Sequence, residues 1–243
     1  MRRMLPPGVR VAIPHMLWRF VEGVLFGLGL VFLGNLAAPI RSGQAITVAM
    51  TRVVAPVAVG HAVGEAAGAT GAGISLALMA NNVIALLFMA LGGLFLARIT
   101  ERRPPGPVSR AIYRLGAYVD PGLDDVTDED QDTYFLLFLF PGGGMALNGA
   151  VAGMLLGLAG LTGLDGLYAL VRYVLPHAIV ELPVLVIGAS VGYAIACEVL
   201  TVMDSSGDVD SAVRRVHRPY VRLLGVLCTA LVVAGVVEAY LIV

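Results

Sequence analysis

The sequence predicts an all-α protein, a polytopic transmembrane helical bundle with about five spans and one broken, re-entrant or amphipathic helix. Of its 243 residues, 58% are hydrophobic and only 14% are charged, and the mean hydropathy is +0.86. Soluble domains carry about 25% charged residues. Glycine is abundant, with 30 residues, and small residues allow membrane helices to approach closely.

The first predicted span covers residues 20–39 and follows a basic flank. Residues 1–19 contain four arginines and Trp18, a composition typical of a membrane boundary. Gly23 and Gly27 are four residues apart inside the span. Small residues at this spacing favour close packing against another helix.

The second predicted span covers residues 74–97 and contains two adjacent asparagines, Asn81 and Asn82. Adjacent residues point about 100° apart on a helix, so the two amides would serve different partners. Buried amides in lipid usually form hydrogen bonds across helices. Residues 41–73, which precede this span, are predicted to form an amphipathic or re-entrant element.

The third predicted span, residues 134–160, carries a face of small residues. Pro141 and the three glycines after it indicate a loosened first turn. A stripe of glycines follows beside Asn148: Gly149, Gly153 and Gly157. We predict that this stripe packs against another helix, within the chain or across a dimer.

The fourth apolar region, residues 166–201, contains His177 and Glu181. At 36 residues it exceeds the roughly 20 that cross a membrane, so we expect it to split at Pro176 into a half-helix and a full span. The two ionisable residues are four positions apart and share a helix face. Prolines and glycines accompany them: Pro176, Pro183, Gly188 and Gly192. The prolines predict a kink, and the glycines are further candidates for helix packing.

The last predicted span, residues 221–243, contains Glu238. Ionisable groups in apolar spans face the protein interior or a wet cavity, because lipid penalises them. We therefore predict one polar network around His177 and Glu181. Its expected members in other spans are Asn81 or Asn82, Asn148 and Glu238. The alternative is that His177 and Glu181 only bind neighbouring helices.

His61 and Glu65 repeat the His-x-x-x-Glu spacing of the fourth region. Such a repeat could mark an internal duplication, which many transporters have. Because alanine, valine and glycine are so frequent here, chance similarity is the better interpretation.

Arginine placement predicts the topology. The N-terminal flank and the polar stretches 98–133 and 202–222 together hold 13 of the 16 arginines. Cytoplasmic segments carry such an excess. We expect a single transmembrane domain, residues 1–243, with 98–133 and 202–222 as cytoplasmic loops, the N-terminus in the cytoplasm and the C-terminus outside.

No cofactor, metal or nucleic-acid partner is expected. The acidic run at 128–132 has Thr133 where a calcium loop requires glycine. Cys197 and Cys228 lie in apolar stretches, where cysteine behaves as a small apolar residue. The net charge of −1 gives no indication of nucleic-acid binding.

Three stretches together resemble the stage II sporulation protein M family of integral membrane proteins: ANNVIALLFMALGG at 80–93, LNGAVAGMLLG at 147–157 and LPHAIVELPVLVIGASVG at 175–192. The resemblance covers residues 74–243. It marks these positions: Asn81 or Asn82, Asn148, Gly149, Pro176, His177, Glu181 and Glu238. Ala178 departs from the family, which usually has glycine there. The namesake resembles a membrane anchor of a peptidoglycan-degrading engulfment complex.

Three functions compete. The resemblance, the glycine stripes and the lack of a catalytic set favour a non-enzymatic scaffold or assembly factor of a membrane complex. Its partners would be the lipid bilayer and membrane or extracytoplasmic proteins, with a homo-oligomer as a further option. The alternative is a transporter or channel in which His177, Glu181 and Glu238 line a polar path. A metal hydrolase ranks last, since a zinc site would need a third ligand from His61, Glu65 or Glu238.

Overall fold

The structure is a computed structural model that describes residues 5–37, 82–92, 139–173, 175–206 and 209–242, together with residues 80 and 94. Several predictions lie outside these residues. They are the element at 41–73 with His61 and Glu65, the loop at 98–133, and Asn81.

Within the described residues the chain forms six α-helices and one π-helical turn. The helices are α1 (Pro7–Ala37), α2 (Asn82–Gly92), α3 (Gly144–Leu161), α4 (Leu164–Tyr173), α5 (Leu175–Ser206) and α6 (Val209–Ile242), and the π-helical turn is Leu139–Gly143. In the part of the chain that the structure describes, three stretches are long and apolar enough to cross a membrane, namely Pro7–Leu36, Leu139–Leu161 and Ala178–Val199. Asn82–Gly92 and Tyr220–Val236 are shorter apolar helices. The predicted fold class, an all-α membrane bundle, is confirmed.

Helix α1 begins at Pro7, well before the predicted start at residue 20, so its first turns were wrongly assigned to a flank. Val9, Ala12 and Met16 are buried on one face, at the spacing of a helix that packs on a core. Arg10 lies off that face and is exposed. Proline is favoured in the first turn of a helix, which explains the start at Pro7. The arginines in this stretch make it resemble a membrane flank, which hides the apolar spacing.

Helix α5 lies at the centre of the described bundle. Of its most apolar stretch, 56% is buried, against 17% for α1 and 33% for the span that includes α3. It contacts α1, α4, α6 and the π-helical turn, and Gly188 and Gly192 face α2. A helix that is apolar on all sides can lie in the middle of a bundle or against lipid, and α5 takes the more central position.

The stretch 202–222, predicted to be a loop, is helical on both sides of residues 207–208, which are not described. Helix α5 continues to Ser206 and α6 begins at Val209. Helices therefore extend into this polar connection from both sides, and arginine is a good helix former. That the connection lies in the cytoplasm stays a prediction. Pro176 falls in the first turn of α5, where proline is tolerated. Residue 174, between α4 and α5, is not described, so the split at Pro176 stays a prediction.

The order of contacts gives the helix directions. Gly23 faces Ala146 and Ala150, and Gly27 faces Ala150 and Met154, so α1 and α3 run in the same direction.

Helices α2 and α5 also run in the same direction as each other. Leu86 lies against Gly188, and Met89 lies against Gly192. Helices α5 and α6 follow each other with only residues 207–208 between them and run side by side, which makes them antiparallel.

Candidate functional site

Glu181 forms a hydrogen bond between two helices. The side-chain amide nitrogen of Asn82, on α2, donates to Oε1 of Glu181, on α5, and both side chains are half-buried. A carboxylate in apolar surroundings is costly unless it has such a partner. This contact therefore joins residues 99 positions apart in sequence and fixes α2 beside the start of α5.

Asn148 uses its amide within its own helix. Its Nδ2 donates to the carbonyl oxygen of Gly144, one turn earlier, at 2.8 Å. Gly144 directly follows the π-helical turn and lies against the side chain of Met89 on α2. The bond therefore strengthens the first turn of α3, and the proposed link from Asn148 to Glu181 stays a prediction.

The remaining predicted network members are located only by their backbone. Pro176 and His177 lie in the first turn of α5, and Glu238 lies near the end of α6. His177 and Glu181 are four residues apart on one continuous helix, so they occupy the same face. Asn81 lies outside the described residues. The structure thus brings Asn82 and Glu181 together, and the part played by the others stays a prediction.

The glycines of α3 lie against the backbone of α1. A Cβ atom built on Gly149 would overlap the carbonyl oxygen of Phe20 and lie 3.0 Å from the nitrogen of Val24. One built on Gly153 would overlap the Val24 carbonyl oxygen. Further along, a Cβ on Gly157 would lie 3.0 Å from Cβ of Val31.

The contact is reciprocal. A Cβ on Gly23 or on Gly27 would overlap the carbonyl oxygen of Ala146 or of Ala150, respectively. The two helices therefore meet backbone to backbone over two turns. A side chain at any of these four glycines would push a main chain aside.

Gly188 and Gly192 on α5 likewise allow close packing, in this case against α2. A Cβ on Gly188 would overlap the end of the Leu86 side chain. A Cβ on Gly192 would overlap the Met89 carbonyl oxygen and lie 3.1 Å from Cα of Ala90. The small residues thus let α2 lie close to α5 along the stretch that follows the Asn82–Glu181 bond.

A second interhelical hydrogen bond lies at the other end of α5. The hydroxyl of Tyr220, on α6, donates to Oε1 of Glu198 at 2.5 Å, and Tyr220 is only 2% exposed. Sequence reasoning missed both residues. The available signal was an acid near the end of the fourth apolar region, since any such group needs a partner.

Helix α1 reaches the same place. A Cβ on Gly8 would lie 3.2 Å from Cβ of Ala194 and 3.6 Å from the Tyr220 hydroxyl. The rings of His15 and Tyr193 lie 5.1 Å apart, centroid to centroid. Three helices therefore meet beside the Tyr220–Glu198 bond.

Among the described residues, no group of three or more His, Cys, Asp or Glu side chains could hold a metal ion. In the same part of the chain, every buried side-chain nitrogen or oxygen has a hydrogen-bond partner. Ser190, for example, is fully buried in α5 and donates to the carbonyl oxygen of Val186 at 2.7 Å. The described interior is therefore fully satisfied in its hydrogen bonding.

Long apolar helices, close glycine contacts and hydrogen-bonded acids define a helical integral membrane protein. The model of the family described as stage II sporulation protein M matches residues 133–241. This match covers a little under half of the chain and supports its membership of the stage II sporulation protein M family. Neither the comparison with curated proteins nor the comparison with solved structures gives a match.

Proposed function

We propose that this protein is a non-enzymatic scaffold or assembly factor of a membrane complex. The observation that carries the proposal is the Asn82–Glu181 hydrogen bond. Glu181 is one of the ionisable residues that the transporter alternative requires, and it is engaged with another helix. A polar group used in this way stabilises the arrangement of helices.

The buried position of α5 supports the same function. Its acids bind side chains from α2 at one end and from α6 at the other. Helices α1 and α3 are held against each other by main-chain contact. Such a body is suited to presenting its outer surfaces to membrane or extracytoplasmic protein partners, or to a second copy.

We propose the topology that arginine placement predicts, with five spans, the N-terminus in the cytoplasm and the C-terminus outside. The helix directions support the alternation of the spans, and the arginine excess supports the orientation. Alternating spans require α1 and α3 to be parallel, α2 and α5 to be parallel, and α5 and α6 to be antiparallel. The contacts of the described helices agree with each requirement.

The test compares Glu181→Gln with Gly149→Leu in the native host, in a strain that lacks the chromosomal copy. A scaffold with Gln at 181 keeps a hydrogen-bond acceptor, so we expect normal complementation and a complex of unchanged size on native gels. Gly149→Leu should abolish complementation and change the size of the complex, because the leucine side chain separates α1 from α3.

A transporter predicts a different pattern. Glu181→Gln would then abolish complementation while complex size and protein level stayed normal, because the charge itself would be required. That result, or complementation by a protein that migrates only as a 25.3-kDa monomer, would contradict the scaffold proposal.

A further inference from the structure

Helix α4 has an apolar face turned away from the bundle. Leu164 is 85% exposed, and three more apolar residues follow at the spacing of one helix face with exposures between 42% and 64%: Leu167, Tyr168 and Val171. Residues at i, i+3, i+4 and i+7 form one stripe along a helix. Asp165, which is exposed, lies beside this stripe rather than on it.

The chain holds α4 at the end of a span. The stretch Leu139–Leu161 ends three positions before α4 begins, and the stretch Ala178–Val199 begins five positions after α4 ends. Both neighbouring spans have exposed apolar residues close to α4, namely Leu161 before it and Ile179 after it. Apolar exposure therefore continues along the chain from the end of one span, through α4, into the next span.

The corner between α3 and α4 is tightly bonded. The nitrogen of Thr162 donates to the carbonyl oxygens of Leu158 and Ala159, and its hydroxyl donates to that of Ala159 at 2.8 Å. Gly163 has a φ of +74° and donates to Gly160, which closes the end of α3. Because these carbonyls are satisfied within the corner, it can lie at the membrane border, and α4 leaves it in a fixed direction.

We propose that α4 lies in the interfacial layer of the bilayer, with its apolar stripe towards the acyl chains of the lipids. An amphipathic helix at this level gains by burying its apolar side in lipid while its polar residues stay in the headgroup layer. The occupant of this face is thus the lipid surface itself, not a protein partner.

This placement sets the depth of Glu181. The residue lies six positions into α5, about 9 Å along the helix axis from its first residue. The hydrocarbon core is about 30 Å thick, so the Asn82–Glu181 bond lies in the third of the core nearest α4. Glu198, about 26 Å further along α5, comes close to the opposite border. In this arrangement α4 keeps both acids of α5 away from the midplane.

The experiment uses the full chain with Cys197 and Cys228 replaced by alanine, in vesicles of phosphatidylcholine and phosphatidylglycerol. Spin labels are attached to Leu164→Cys, Val171→Cys and Asp165→Cys. Phe26→Cys, on an exposed apolar residue of α1, serves as the lipid-facing reference. Collision rates with oxygen and with a water-soluble nickel chelate are measured at each site.

We expect the oxygen-to-nickel ratio at 164 and 171 to be several-fold higher than at 165 and lower than at 26. Nickel access at 164 and 171 equal to that at 165 would place the stripe in water. Low access to both reagents would mean that protein covers it, including a second copy. Either result overturns the proposal.

A second probe covers the case in which the labels disturb α4. Trp18 is the single tryptophan, so Trp18→Phe with Leu164→Trp leaves one reporter on the stripe. We expect lipids brominated near the headgroup to quench its fluorescence more strongly than aqueous iodide does. The reverse order would also overturn the proposal.

Discussion

The described bundle is held together in two different ways. Between α1 and α3, glycines bring the main chains into contact, with Gly23 and Gly27 on one side and Gly149 and Gly153 on the other. Helix α5 instead adds a side-chain hydrogen bond to each of two neighbours, Asn82–Glu181 towards α2 and Tyr220–Glu198 towards α6.

The difference shows what each kind of contact provides. Lipid tails are as apolar as leucine, so α1 and α3 gain from close van der Waals packing and not from escaping water. That packing is lost as soon as one side chain intrudes. A hydrogen bond in a membrane is worth only about 0.6–2 kcal/mol, but it requires one particular partner at one particular height. The glycine contact therefore provides most of the stability, and the two bonds determine which helices are neighbours of α5.

The largest effect is expected from Gly27→Ala. The added methyl would overlap the carbonyl oxygen of Ala150, which cannot rotate away. We expect a loss of about 3 kcal/mol or more in the free energy of unfolding, at or above the upper end of ordinary overpacking. Unfolding by sodium dodecyl sulfate in mixed micelles measures it.

Gly29→Ala is the matched control, two residues away on the same helix with no atom within 4 Å of the added Cβ. It should be neutral or stabilising by at most about 1 kcal/mol, through helix propensity. Equal losses for the two variants would contradict the assigned contact.

A smaller effect is expected from Tyr220→Phe, which removes the hydroxyl bonded to Glu198 but keeps the buried ring. The expected loss is about 1 kcal/mol, because Glu198 is exposed and its carboxylate can find other partners. Glu198→Gln keeps an acceptor and should cost less. Thermal unfolding in detergent distinguishes them, and a Tyr220→Phe protein as stable as the wild type would show that this bond contributes nothing.

The smallest effect is expected from Gly157→Ala. Its added methyl would meet the Val31 side chain at 3.0 Å instead of a main-chain oxygen. Because the contact lies near the ends of α1 and α3, the helices can separate slightly there. We expect a loss below about 1 kcal/mol in the same micelle assay. A loss as large as that for Gly27→Ala would mean that close contact extends further than the structure shows.

Much of the fold follows from apolar length alone. The long apolar runs are visible in the sequence. The early start of α1 was hidden, because arginines at positions 10 and 19 resemble a membrane flank although Val9, Ala12 and Met16 keep the apolar spacing. The helical ends around residues 207–208 were hidden because polar residues form helices outside a membrane as readily as loops.

The sequence allowed us to predict which types of residue form the candidate site, but not which of them contact each other. An acid in a span needs a partner, and an asparagine is a natural one. Asn81 and Asn82 point about 100° apart, so the choice depends on the rotation of α2, which packing determines and local sequence does not. Gly23 and Gly149 are each predictable as packing residues. That they face each other depends on the arrangement of the whole bundle.

The central claim is that Glu181 holds α2 beside α5, and a double-mutant cycle tests it most directly. The free energy of unfolding in mixed micelles is measured for Asn82→Ala, for Glu181→Ala and for the double variant. Glu181→Ala combined with Tyr220→Phe serves as the control, because these two residues do not contact each other. We expect Glu181→Ala to cost about 1–3 kcal/mol and the Asn82–Glu181 pair to show a coupling of about 1 kcal/mol. The control pair should be additive. If the double variant lost as much stability as the two single variants together, the claim would be contradicted. Once one partner of a hydrogen bond is gone, removing the other should cost less.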